Sequence, residues 1–159
     1  MTPRLEQLQQ RLIESNAYVN RVLDSVGDRW NAQIYSDGAA WTARQLLIHL
    51  AISNQGLNNQ VVGIAEGREI IPADFDINRY NKRSVEKRAD MSIDEARASL
   101  NETREALLNW MATIDDSVLE REGRHASLQI MSVASILETT ADHERAHADD
   151  IARVLEITV

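Results

Sequence analysis

From Ala43 to Ile64 one apolar seam runs without a break. Ala43, Leu47, Leu50, Asn54, Leu57, Val61 and Ile64 step by fours and threes over three heptads, with Asn54 its one polar member. Such steps return side chains to one face of an α-helix, and no strand period fits them. The start is equally marked. Thr42 can cap, Gln45 stands where a capping box needs it, and Trp41 and Leu46 can form a hydrophobic staple. A helix of this length, with one apolar face, needs partner helices to bury that face.

Three further segments supply them. Leu5, Leu8, Leu12, Val19, Val22 and Val26 share a face over residues 4–26, with Ser15 filling one core step and Thr2-Pro3 as a helix start. After Ser92, with Glu95 in a second capping box, the seam is Ile93, Ala96, Leu100, Thr103, Leu107, Met111 and Ile114. The last helix is expected to start between Ser127 and Val133 and to run to about Leu155, with Val133, Leu137, Thr140, His147, Ile151 and Val154 on its inner arc. Six glycines and two prolines are too few for the turns of a sandwich or barrel. The expectation is one all-α domain over residues 1–159, a four-helix bundle.

The links refine this. About 25 residues join Gly67 to Met91 and include a short helix expected over Arg79–Lys87. Extended chain covers about 3.3 Å per residue, enough to run back along a helix about 36 Å long. The second and third long helices need not form a hairpin, and both an up-down-up-down bundle and one with a long crossover remain open.

Composition excludes several functions. No cysteine is present, which removes disulfides, thiolate metal sites, iron–sulfur clusters and Cys nucleophiles. No apolar run approaches the length of a membrane span, and Met1–Glu6 has no signal core, so a cytoplasmic location is expected. The net charge of −8 argues against a nucleic acid partner.

The chemistry rests on histidines. His143 and His147 lie four residues apart, which puts both imidazoles on one helix face. With Ile151 at the centre of the buried arc, His147 falls about 40° and His143 about 80° away, both inward or along the shoulder. Glu144 falls within about 20° of that centre. A lone carboxylate there calls for a metal, a buried Arg or a proton. His49 lies on the shoulder of the second long helix beside Ser53, Gly56 and Gln60, small or polar residues that leave room for a cavity. It is the natural third ligand, and three protein ligands with open positions characterise catalytic rather than structural zinc sites. The same spacing also admits two core histidines hydrogen-bonded to backbone or to Glu144. His125, after Gly123 and Arg124, reads as a solvated loop residue. The tryptophans read as core, and Arg79–Asp90 as a solvated face.

His143-Glu144-Arg145-Ala146-His147 also matches the zinc-protease helix motif. That reading is rejected. Asp150 and Arg153 stand where the extended motif needs Gly and His, and Arg145 and Asp149 put charges where that helix is apolar.

Trp41-Thr42-Ala43-Arg44-Gln45-Leu46-Leu47-Ile48-His49-Leu50 resembles the start of the second helix of DinB-like four-helix-bundle proteins. His143 to Ile151 resembles their last helix, and Asp76 to Asn81 onward resembles their middle segment. The resemblance covers nearly the whole chain. It implies an up-down-down-up bundle with the long crossover. It also implies a divalent metal, zinc or nickel, held by His49, His143 and His147. Characterised relatives include isomerases and transferases that use mycothiol or bacillithiol.

Two functions follow. One is a metal-dependent transferase, isomerase or hydrolase acting on a small molecule, with a low-molecular-weight thiol as possible cosubstrate. Its pocket would be shaped by the loops around Trp30 and Phe75–Asn81, and Glu144 has no assigned role. The alternative is a non-catalytic stress-response protein that binds a metal or small molecule. A third, structural reading makes the histidines packing residues in a homodimer, with Ile48 and Ile52, off the seam, either free for a partner helix or covered by a loop.

Overall fold

The computed structural model describes residues 1–159. Four long helices form the body: α1 (Pro3–Asp24), α2 (Ala43–Ala65), α4 (Ile93–Met111) and α5 (Val133–Leu155), with a shorter α3 (Ile77–Lys87) in the crossover. Their starts follow from local chemistry. The Thr2 hydroxyl accepts the Leu5 N–H with Pro3 in the first turn, and complete capping boxes form at Thr42/Gln45 and Ser92/Glu95. Ser132 caps α5.

Side-chain contacts give the helix directions. Arg11 meets Asp142, Ser15 meets Glu144 and Tyr18 meets Asp149, so α1 and α5 run parallel. Arg44 reaches Met91, Gln55 reaches Ser99 and Asn58 reaches Thr103, so α2 and α4 are parallel too. Gln9 against Leu108 and Asp24 against Arg97 make α1 and α4 antiparallel. The chain is therefore an up-down-down-up four-helix bundle, and the link carrying α3 is its crossover. No helix is long and apolar enough to cross a membrane.

The apolar core forms two clusters. One surrounds Val22, Trp41, Leu47, Leu100 and Ile151, and the other surrounds Leu8, Val61, Met111 and Leu137. A polar layer includes one residue from each long helix: Ser15, Asn54, Arg104 and Glu144, all buried. Glu144 is 0% exposed. Arg104 donates to its Oε2 at 2.9 Å, Asn54 Nδ2 donates to the same oxygen at 2.8 Å, and the Ser15 hydroxyl donates to Oε1. The buried cation that Glu144 requires is thus Arg104.

Several expectations change. Residues 115–132 are more than a loop. A 3-10 turn (Asp116–Glu120) leads into a hairpin of β1 (Glu122–Arg124) and β2 (Ile130–Ser132), paired antiparallel with Gly123 opposite Met131. Strands of three residues carry too short a pattern to be read from sequence. Val154 is exposed, and Leu155 takes the inner place at the end of α5. Ile48 is 1% exposed and not free for a partner helix, because it lies in the core cluster of Trp41 and Leu47; Ile52 packs against the same cluster.

Candidate metal centre

His49 projects from α2, and His143 and His147 project from consecutive turns of the antiparallel α5. Their Nε2 atoms converge. His143 lies 3.4 Å from His49 and 3.1 Å from His147, Nε2 to Nε2. One ligand atom from each residue lies within 4.8 Å of the others. Four-coordinate imidazole sites with metal–nitrogen bonds of about 2.0–2.1 Å place their nitrogens about 3.3 Å apart. The observed spacing matches this.

Electrostatics points the same way. Burial, then the neighbouring imidazoles, pushes His49 down to about 3. Burial, then His147 and His125, pushes His143 down to about 4. His147 is lowered chiefly by burial, against the opposing pull of Asp150. At neutral pH all three are uncharged. Nitrogen lone pairs at this separation repel unless a proton or cation lies among them. One proton serves two nitrogens, whereas a divalent cation serves all three. The residues fit a divalent ion.

A second layer orients His147. The Tyr35 hydroxyl donates to Asp150 Oδ2 at 2.5 Å and lies 2.8 Å from His147 Nδ1. Burial and the Asp150 hydrogen bond hold the Tyr35 hydroxyl well above its usual range, so it stays protonated. With its one proton committed to Asp150, it can only accept from His147 Nδ1–H. That fixes the tautomer and leaves the Nε2 lone pair facing the other histidines, as supporting shells of metal sites do. Trp41 packs against His49 at 4.6 Å between ring centres, the rings tilted by 31°. Sequence reasoning missed both Tyr35 and Asp150. Asp150 had a readable signal, one turn beyond His147 on the same helix face.

His49 and His143 form part of the wall of a cavity of about 310 Å³, in the size range of small-molecule sites. Its apolar side comes from the crossover, notably Ile71, Phe75 and Tyr80; Gln60, Asn81 and Thr139 add polar groups. No Asp, Glu, Lys or Arg lines it. The segment Phe75–Asn81 shapes the pocket as expected, but Trp30 does not. Trp30 packs against the core instead, and its carbonyl accepts the Arg44 N–H at the start of α2.

His125 corrects the expectation of a solvated loop residue. It is 9% exposed and lines the same cavity. The hairpin turn folds back onto α2, where the Ala126 N–H donates to Gln60 Oε1 at 3.0 Å. Glu144 lies outside the cavity lining, with both oxygens bound within the bundle.

Comparison with known proteins agrees with this architecture. A family model, the DinB superfamily, matches residues 4–151. Among solved structures, YfiT from Bacillus subtilis superposes with a TM-score of 0.76 at 20% identity, over 99% of this chain and 91% of that one. It is described as a probable metal-dependent hydrolase with an unusual four-helix bundle topology. No curated protein matches the chain.

Proposed function

The chain belongs to the DinB superfamily, and we propose that it is a metal-dependent enzyme acting on a small molecule, with His49, His143 and His147 as the metal ligands. The convergence of three uncharged imidazole nitrogens on one point, two of them in the wall of a cavity, carries this reading. The description of YfiT supports it. A zinc or nickel ion would supply Lewis acidity to a coordinated small molecule. Tyr35 and Asp150 hold His147 in the tautomer that presents Nε2. Trp41 holds the plane of His49. Ile71, Phe75 and Tyr80 give an apolar ligand a surface and exclude water.

The lining has no carboxylate to act as general base. That favours a cosubstrate ionised without one, and a low-molecular-weight thiol, with an ordinary pKa near 8.5, suits the requirement. The same absence favours a second reading, a non-catalytic binder of a metal or small molecule. Transfer, isomerisation and hydrolysis all fit the first.

The test is metal content by plasma mass spectrometry, on protein purified without a His tag or chelator. About one equivalent of divalent metal is expected in the wild type and none in the His49→Ala/His143→Ala/His147→Ala variant. Equal metal in both, or none in the wild type after reconstitution with zinc or nickel, would refute the assignment. Turnover of thiol and electrophile pairs by the loaded protein then separates the enzyme from the binder.

A further inference from the structure

We propose that His125 is a substrate-binding residue of this site: a neutral imidazole whose Nε2–H donates to a carbonyl or carboxylate oxygen of a largely apolar ligand bound beside the three histidines. The proposal rests on the metal-site reading above and adds to it the residue that recognises the ligand and the chemical class of that ligand.

The tautomer follows from one contact. The backbone N–H of Ser127 donates to His125 Nδ1 at 3.1 Å. A backbone N–H can only donate, so Nδ1 must carry a lone pair, and the proton of the neutral ring sits on Nε2. The Ser127 hydroxyl lies 2.8 Å from the same Nδ1. Burial lowers the pKa of His125, which favours that neutral form. Nε2–H is then the ring's one remaining polar atom, in a residue that lines the cavity, and no protein group accepts from it.

The fold commits much structure to placing this ring. The His125 N–H donates to the Gln129 carbonyl at 2.9 Å, and the Leu128 N–H donates back to the His125 carbonyl at 2.8 Å. Leu128 holds φ at 73°, a strained conformation for a residue with a side chain. Gln60 pins the turn to α2, and the Arg124 guanidinium reaches the Ile71 carbonyl at 3.2 Å. A built Cβ on Gly123 would stand 2.5 Å from Ile64 Cγ1, so the hairpin seats directly on α2. Of the four histidines, three converge and the fourth is delivered to the same cavity by a different element.

The lining defines the ligand class. It carries no formal charge, and its apolar wall faces the His125 imidazole, with Gln60, Asn81 and Thr139 as further polar groups. Apart from an ion held by the three histidines, a charged molecule would find no counter-charge there. An acyl or aryl compound with one carbonyl-type oxygen would bury its body on Phe75, Ile71 and Tyr80 and give that oxygen to His125.

The experiment uses the full chain. Long-range ¹H–¹⁵N correlation spectra of the metal-free protein should show His125 protonated on Nε2 and bare on Nδ1; the opposite tautomer overturns the proposal before any ligand is added. Cobalt(II) is then loaded, and benzohydroxamate, an aryl ring with a carbonyl oxygen, is titrated by visible absorption. His125→Phe and His125→Asn should bind cobalt as the wild type does. Benzohydroxamate should bind His125→Phe roughly tenfold more weakly, the effect of one lost hydrogen bond, and His125→Asn should recover part of the loss. Unchanged affinity in His125→Phe overturns the proposal, and loss of cobalt from that variant would make His125 a ligand instead. A wild type that binds no cobalt overturns the metal reading itself, a failure distinct from the others. The tautomer measurement needs no variant and stands even where a substitution unfolds the chain.

Discussion

Replacing Tyr35 by Phe would remove one oxygen and release His147 Nδ1 from its acceptor. Either tautomer of His147 would then be available, and metal affinity should fall about 10–100-fold. Competition with a chromophoric chelator measures this. His125 gives a pH signature. Its folded pKa lies below the unfolded value of about 6.5. Between the two, the unfolded chain binds the extra proton, so stability present above pH 6.5 is lost as pH falls towards the folded pKa. The slope is at most about 1.4 kcal/mol per pH unit. The metal-free His125→Asn variant should therefore lose less stability than the wild type between pH 6.5 and 5, as read by urea denaturation. The candidate ligands were legible in the sequence because spacing and helix face together mark a histidine. Tyr35 was not, since it joins His147 across 112 positions from a segment with no period. For Glu144 the need for a partner was legible but its identity was not: Arg104 falls between Leu100 and Leu107 on the stripe of α4, but nothing local to either residue pairs it with a carboxylate on another helix.

The hairpin is the smallest regular element of the fold, and it depends on close approach. Gly123→Ala would set a methyl against Ile64 Cγ1, a β-branched side chain in the core. Overpacking of this kind costs about 1–3 kcal/mol, and either Ile64 or the hairpin must move. Denaturation should show that loss, and the His125 side-chain resonances should shift with it. The long helices were readable because each carries an apolar stripe several turns long, and the first three carry a legible cap as well; the Ser132 cap of α5 was hidden among several candidates between Ser127 and Val133. Strands of three residues hold no such repeat. Only their antiparallel backbone pairing, Glu122 to Ser132, Gly123 to Met131 and Arg124 to Ile130, defines them. The misreading of His125 follows directly, because a loop residue becomes a cavity residue once its turn is fastened to α2.

At the scale of the whole bundle, the layer of Ser15, Asn54, Arg104 and Glu144 draws on every long helix. Glu144→Ala would leave Arg104 buried without its carboxylate, at a cost of about 3–5 kcal/mol. The double variant Arg104→Met/Glu144→Leu, which removes both charges, should recover most of that loss in the same denaturation experiment. If the double variant is as unstable as the single one, the layer acts through packing and not charge. The topology also has a consequence during synthesis. His49 and His143 stand 94 positions apart, and α5 completes both the histidine cluster and the polar layer. A chain emerging from the ribosome would expose His49 while its partners were still untranslated. Products of premature termination before α5 would lack two of the three histidines as well as Glu144, so retention of the proposed ion would distinguish finished chains from abortive ones.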